Sequence, residues 1–326
     1  MPPTTENHSV SAVVPVYNEA GSLPQLHQEL AAIIPSGDQG EIIYIDDGSD
    51  DGSHVLLREL ADNDPRVKVL TFFRNYGKAA ALAAGFKAAM GEVVVTLDSD
   101  LQDNPAEIPA MVAMLDEGWD LVSGWKRVRH DPLSKRLPSK LFNLVARLMT
   151  GVRIHDFNCG LKVYRSEVAK SLEIYGGLHR YIPALASYKG FRVTETVVEH
   201  RPRRHGRTKY GLARYFHGLL DLITVLFLGR YFQRPLHFFG LVGLATTGVG
   251  LGISLFLAIN WFRGIWIGNR PLLFLGMLLI IVGVQFFSIG LVAEMFIQRR
   301  QQELNLVKSV YTSRDEEPQA RDSSHS

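Results

Sequence analysis

Two uncharged runs constrain this chain more than any other feature. Leu236 to Asn260 and Leu272 to Ala293 contain no Asp, Glu, Lys or Arg. At a rise of about 1.5 Å per residue, either run crosses a hydrocarbon core of about 30 Å as a helix. Residues 235–298 carry only Arg263, Arg270 and Glu294 as formal charges, so nearly all the charge lies outside them. Two membrane spans are expected, with Phe238 and Phe239 at one interface and Trp261, Phe262 and Trp266 at the other. Arg263 and Arg270 lie in the short loop between them. Arg214, Arg230 and Arg234 precede the pair, and Arg299, Arg300, Lys308 and Arg314 follow it. The positive-inside rule therefore predicts a hairpin in the cell (inner or plasma) membrane, with both flanks cytoplasmic and the loop outside. No basic region followed by an apolar one opens the chain, so its N-terminal part is expected in the cytoplasm.

Gly240, Gly243, Gly248, Gly250 and Gly252 of the first run include one Gly-x-x-x-Gly, a helix-packing face that leaves homo-oligomerisation through the spans open. Leu212 to Phe232 mixes apolar residues with Arg214, His217, Asp221 and Arg230, a pattern that suits a helix in the interface or a soluble core helix. The remaining composition narrows the field further. One cysteine, Cys159, excludes a disulfide framework and a Cys-based zinc site. A net charge of +2 gives no support to nucleic-acid binding.

From its start the chain alternates strands and helices. Val10–Val16, Ile42–Asp46, Val67–Phe73 and Val93–Leu97 read as strands buried on both faces. Leu23–Ile34, His54–Ala61, Lys78–Met90 and Ala106–Glu117 read as the helices between and after them, with Ser22 and Gln25 as a capping box for the first. This rhythm predicts an α/β fold with a mostly parallel sheet, whose ligands bind beyond the carboxyl ends of the strands. At those ends stand Pro15-Val16-Tyr17-Asn18-Glu19, Asp46-Asp47-Gly48-Ser49 and Asp98-Ser99-Asp100-Leu101-Gln102-Asp103. Acidic loops on one edge repel unless a cation or a donor-rich ligand joins them. In extended geometry Asp98 and Asp100 point the same way, and hard oxygen donors suit Mg2+ or Mn2+ with a substrate phosphate. Walker-type phosphate loops, His-Glu-x-x-His and Gly-x-Ser-x-Gly are absent from the sequence, which leaves nucleotidase, protease and hydrolase chemistry without support.

These three acidic segments, in this order and followed by two spans, resemble the family 2 glycosyltransferases of GT-A fold that act on polyprenyl phosphates. Dolichyl-phosphate mannose synthases and bacterial undecaprenyl-phosphate glucosyltransferases are examples. The resemblance runs over about residues 10–300. It implies inverting transfer from a nucleotide-sugar donor, a UDP-sugar such as UDP-glucose, to a lipid phosphate, with a divalent metal. It places Pro15, Tyr17, Glu19, Asp46 and Asp47 at the nucleoside, and Arg74 and Lys78 within reach of the donor. Asp98 and Asp100 take the metal and diphosphate positions, with Gln102 beside them, and Asp156 lies near the reaction centre. A lipid phosphate calls for cations near the interface. Lys126, Arg136 and Ser139, then Arg204 and Lys209 in the basic run Arg201–Tyr210, match the family's acceptor-phosphate positions.

The implied organisation is a cytoplasmic GT-A domain over 1–210, an interfacial helix over 211–234, a transmembrane hairpin over 235–298 and a cytoplasmic tail over 299–326. The implied partners are a nucleotide-sugar, polyprenyl phosphate and the lipid bilayer. A processive polysaccharide synthase, a nucleotidyltransferase of similar fold and a catalytically inactive membrane scaffold are the alternatives. The first would carry Gln-x-x-Arg-Trp and more spans, neither of which the sequence contains.

Overall fold

The computed structural model of the protein describes residues 8–127, 143–202, 224–225, 235–266 and 271–303, of which 297–303 by backbone alone. It divides into two compact units, Met1–Arg230 and Tyr231–Ser326.

The first unit is built on seven strands: β1 Val10–Val16, β2 Gly40–Asp46, β3 Val67–Thr71, β4 Val93–Thr96, β5 Leu121–Trp125, β6 Lys162–Arg165 and β7 Val193–Val197. Their order across the sheet is β3-β2-β1-β4-β6-β5-β7. All pairs are parallel except those of β6, which runs antiparallel to β4 and β5. The four strands expected from sequence are present, with β3 and β4 ending earlier than their apolar runs. Helices α1 Leu23–Ala31, α2 Ser53–Asn63, α3 Lys78–Ala88 and α4 Ile108–Asp116 follow as the alternation predicts.

Both faces of the sheet are covered, which explains why its strands read as unbroken apolar runs. Val10, Ala12, Val14 and Val16 pack with Leu23, Leu26 and Leu30 of α1 and Met111 and Leu115 of α4. Val13, Ile43 and Ile45 face the other way, onto Ala81, Leu82 and Phe86 of α3.

One local expectation is corrected. Ser22 makes no cap to α1 through its side chain. It is wholly buried, and its hydroxyl donates to the Ser99 carbonyl at 2.6 Å and the Glu19 carbonyl at 2.9 Å. Gln25 bonds Glu29 instead, at 2.9 Å. A buried hydroxyl takes the strongest acceptors within reach, and the turn after β4 supplies one that the local sequence cannot reveal.

The second unit is a pair of helices, Pro235–Phe262 and Pro271–Glu303, both long and apolar enough to cross a membrane. Their contact is made by glycines seven residues apart. A Cβ on Gly243 would lie 2.6 Å from the Gly283 carbonyl oxygen, and one on Gly250 would lie 2.8 Å from that of Gly276. The Gly-x-x-x-Gly pair of the sequence, Gly248 and Gly252, has nothing within 4 Å and is not this seam. A spacing of seven keeps one face of a helix toward its neighbour for longer than a spacing of four. Apart from Thr224 and Val225, the segment expected to lie in the interface is outside the described residues.

Candidate active site

Three loops meet at the carboxyl edge of the parallel strands, and hydrogen bonds zip the first two together. Asn18, in a left-handed conformation at φ 56°, receives Asp50 N–H on its side-chain oxygen at 2.9 Å and donates to Asp50 at 2.6 Å. Its own N–H donates to Ser49 at 3.0 Å. Ala20 N–H donates to Asp51, and Glu19 N–H to Ser53. The pieces come from a tandem Asp-Asp-Gly-Ser over residues 46–53, whose second copy opens α2. That repeat is the sequence signal for this loop pair, and its second half carries structure that its first half alone does not disclose.

Acidity on this edge is thus partly consumed by the backbone. Asp46 is buried and accepts Ser49 N–H at 3.0 Å. Asp47, also buried, accepts Tyr76 N–H at 2.7 Å and Gly77 N–H at 2.9 Å, which pins the loop carrying Arg74 against β2. Burial raises the Asp47 pKa despite those two donors. Pro15, Tyr17 and Glu19 stand half-buried at the end of β1.

The third loop departs from the extended geometry expected of Asp98 and Asp100. β4 ends at Thr96, and residues 98–102 turn back through Leu101 at φ 62°. Gln102 N–H donates to Asp100 at 3.2 Å. Two ion pairs hold the turn. Lys78, the first residue of α3, contacts the Asp98 carboxylate, and each side chain keeps about a third of its exposure, 31% and 34%. Burial alone would raise the Asp98 pKa, but the Lys78 ammonium holds it well below the usual carboxylate range. Lys126, just after β5, meets Asp103 at 2.6 Å, and here the exposures are 11% and 0%. Burial opposes the charged form of Lys126, and Asp103 outweighs it, so the lysine pKa rises.

The second oxygen of Asp103 receives the Asp98 N–H at 3.4 Å. Gly160 fits against this pair because it has no side chain: a Cβ there would lie 2.7 Å from both the Asp98 and Asp103 carboxylates. Asp103, to which the acidic motif alone gives no role, anchors the turn.

Other groups close in from β6. Lys162 is 3% exposed and donates to the Cys159 carbonyl. Burial lowers its pKa, while Cys159, Asp156 and Asp98 pull it the other way. Asp156 is buried and accepts Asn158 N–H at 3.1 Å, so its carboxylate shapes the turn before β6. Burial, then Asp103, push the Cys159 thiol up to about 12, which makes it inert. Arg201, the first cation of the basic run, bonds Glu29 at 2.7 Å and Asn104 at 2.6 Å, and its N–H donates to the Gln102 carbonyl at 3.0 Å.

Asp46, Asp98, Asp100, Gln102, Lys78 and Lys126 therefore lie along one edge, with Lys126 engaged by Asp103. Arg136, Ser139, Arg204 and Lys209 lie outside the described residues. Among the described residues no three His, Cys, Asp or Glu side chains converge as a metal cage. The donor set still suits a divalent cation, because two carboxylates and an amide in a tight turn are hard oxygen ligands and Asp98 already holds a cation.

The family model described as glycosyl transferase family 2 matches residues 11–173. Dodecaprenyl-phosphate galacturonate synthase of Rhizobium johnstonii is 38% identical over 293 residues, 88% of this chain and 87% of that protein. Undecaprenyl-phosphate 4-deoxy-4-formamido-L-arabinose transferase of Pseudomonas fluorescens is 37% identical over 289 residues, 87% of this chain and 84% of that one. Among solved structures, glucosyl-3-phosphoglycerate synthase from Mycobacterium tuberculosis, in complex with Mn2+, UDP-glucose and phosphoglyceric acid, matches with a TM-score of 0.53 at 20% identity. The match covers 68% of this chain and 80% of that one, a likeness of fold. The strand order, the acidic edge and these matches agree that the chain is a glycosyltransferase, a member of glycosyl transferase family 2 alongside relatives named for work on polyprenyl phosphates.

Proposed function

We propose that the protein transfers a sugar from a UDP-sugar to a polyprenyl phosphate, with inversion, at the cytoplasmic face of the membrane in which its two apolar helices sit. The observation that carries this is the Asp98–Gln102 turn, held open at the sheet's carboxyl edge by Lys78 and Lys126. The names of the relatives support the lipid acceptor. The neighbouring fold, crystallised with Mn2+ and UDP-glucose, supports the donor and the metal.

Asp98 and Asp100, with Gln102, would hold Mg2+ or Mn2+, which offsets the charge that develops on a departing nucleoside diphosphate. Pro15, Tyr17, Glu19 and Asp46 line the end of β1 and β2 where the nucleoside lies. Asp47 serves that pocket by fixing the loop of residues 74–77. A phosphate monoester has a second pKa of about 6, so the acceptor is mostly dianionic at neutral pH and needs no enzymic base. Asp156 then positions substrate, and Arg136, Ser139, Arg204 and Lys209 receive the acceptor phosphate. Direct displacement with inversion needs no enzyme nucleophile, and what the chain supplies is orientation and charge.

Inverted vesicles, cytoplasmic face outward, test this with a panel of labelled UDP- and GDP-sugars that includes UDP-glucose and UDP-galacturonate. Label should enter the lipid phase from a UDP-sugar, in a divalent-cation-dependent way, and not in sealed right-side-out vesicles. Asp100→Ala should lower the rate by roughly two to three orders of magnitude, as loss of a transition-state charge contact does. Full labelling in excess chelator, or by Asp100→Ala, would refute the metal site.

A further inference from the structure

The two ion pairs that hold the acidic turn differ in one respect. Lys126–Asp103 is sealed, with exposures of 11% and 0%. Lys78–Asp98 is open to solvent, at 31% and 34%. A sealed pair cannot exchange partners without leaving a buried charge alone, whereas a pair that water reaches can exchange them. Asp98 is also one of the two carboxylates placed to hold a divalent cation. The cation that Asp98 meets in the structure is the Lys78 ammonium.

Lys78 is well placed to leave. It is the first residue of α3, an eleven-residue helix entered through Gly77 at φ 91°. Asp47 grips the two preceding amides, so the backbone beneath the lysine stays fixed when its side chain moves. The amino end of a helix together with a lysine favours an anion. The other cations near Asp98 do not share this freedom: Lys126 is tied to Asp103, and Lys162 is 3% exposed and bonded to the Cys159 carbonyl.

We propose that Lys78 is the resident counter-ion of Asp98, occupying the cation position in the free enzyme and passing to the donor's diphosphate when metal and nucleotide bind together. The inference rests on the proposed nucleotide-sugar transfer and adds an order to it. In the free enzyme one ammonium balances one carboxylate. With metal and donor bound, Asp98 would hold the dication and Lys78 would pair with the donor's diphosphate. Neither the Asp98 carboxylate nor the Lys78 ammonium is left without an opposite neighbour at either stage. Metal alone would displace the ammonium and leave it beside a dication with no anion to receive it. Nucleotide removes that penalty, so metal and nucleotide must each raise the affinity for the other.

The test measures binding by the full-length protein in detergent: Mn2+ by the electron paramagnetic resonance of the free ion, and UDP by calorimetry with Mn2+ present. Lys78→Met should bind Mn2+ alone about tenfold tighter, having lost a neighbouring like charge. It should bind UDP about tenfold more weakly, having lost a charge-assisted phosphate contact. Effects of opposite sign separate exchange from mere support of the fold, which would weaken both. Lys78→Arg, which keeps the charge, should bind Mn2+ alone as weakly as the wild type. Unchanged or weaker Mn2+ binding by Lys78→Met, or tighter binding by Lys78→Arg, would overturn the exchange. A wild type that binds no UDP with Mn2+ would instead sink the proposed donor.

Discussion

Ile43 in the sheet and Phe274 in the second span are both large and apolar, yet the first is wholly buried and the second is 70% exposed. Glycine shows the reverse. Gly243 and Gly250 are buried between the two spans, while the neighbouring Leu241 and Leu244 point outward. In the catalytic domain the solvent is water, so large apolar side chains go inside and the interior fills with Ile, Val and Leu. In the proposed membrane hairpin the solvent is lipid, and an apolar side chain gains nothing by leaving it. What draws the helices together is close backbone approach, which only the smallest residues allow. The two regions are inside out with respect to one another in where they keep their large apolar side chains.

The largest effect should come from a charge buried in the catalytic domain. Asp103→Ala leaves Lys126 without its partner in a nearly dry site. Removing one member of a buried pair costs about 3–5 kcal/mol. Urea unfolding of the catalytic domain should register it, and Asp103→Asn, which still accepts the Asp98 N–H, should lose less. A cost below about 1 kcal/mol would mean the pair is as slack as a surface one.

Ile43→Ala empties a closed site and should cost about 2–5 kcal/mol. Phe274→Ala removes more surface but only from lipid, and should shift the unfolding of the hairpin in detergent by less than about 0.5 kcal/mol. Comparable losses at both positions would mean that something other than lipid covers Phe274.

The same contrast explains what could be read from the sequence. The strands were legible because burial on both faces leaves unbroken apolar runs, and the spans because lipid excludes charge for more than twenty residues. The three acidic loops were legible because strand ends in such sheets meet at one edge. Partners across the edge were not. Ser22 bonds Ser99, and Asp103 meets Lys126, over separations that no local pattern encodes. Those pairings decide which acids are free for a ligand: Asp47 and Asp103 hold structure, while Asp98 faces outward with Lys78 against it. The hairpin seam is not legible for a related reason. Gly248 and Gly252 have the familiar spacing, but the contact depends on which side of the helix the partner occupies. Strands β5, β6 and β7 lie outside the four runs expected from sequence; β6, four residues long, inserts antiparallel between β4 and β5.

A side chain added at the seam should act on the hairpin alone. Gly283→Val would drive a methyl group into Thr247, whose hydroxyl lies 2.1 Å from the ideal Cβ position, and into the Gly243 carbonyl at 2.7 Å. Overpacking of this kind costs about 1–3 kcal/mol. Helix association in detergent should weaken by that amount while UDP binding by the catalytic domain stays as it was. Equal loss of UDP binding would show that the two regions are coupled.

The smallest effect concerns Glu294, the one acidic residue of 235–298. A carboxylate near lipid is costly unless something holds it, and Glu294 accepts the Leu236 N–H at 3.2 Å. Leu236 is the second residue of the first span, after Pro235, which has no N–H to offer. The first turn of a helix leaves amides without partners inside the helix, and its amino end carries partial positive charge. Glu294 therefore caps the first span from the second, and it is the polar counterpart of the glycine seam. Loss of a cap costs about 1 kcal/mol. Glu294→Leu, a better residue for lipid by hydrophobicity alone, should still lower the hairpin's resistance to unfolding by sodium dodecyl sulfate by that much. Glu294→Gln, which keeps an acceptor oxygen but no charge, should fall between. A leucine variant as stable as the wild type would mean that lipid affinity, the rule everywhere else in the hairpin, governs this position too.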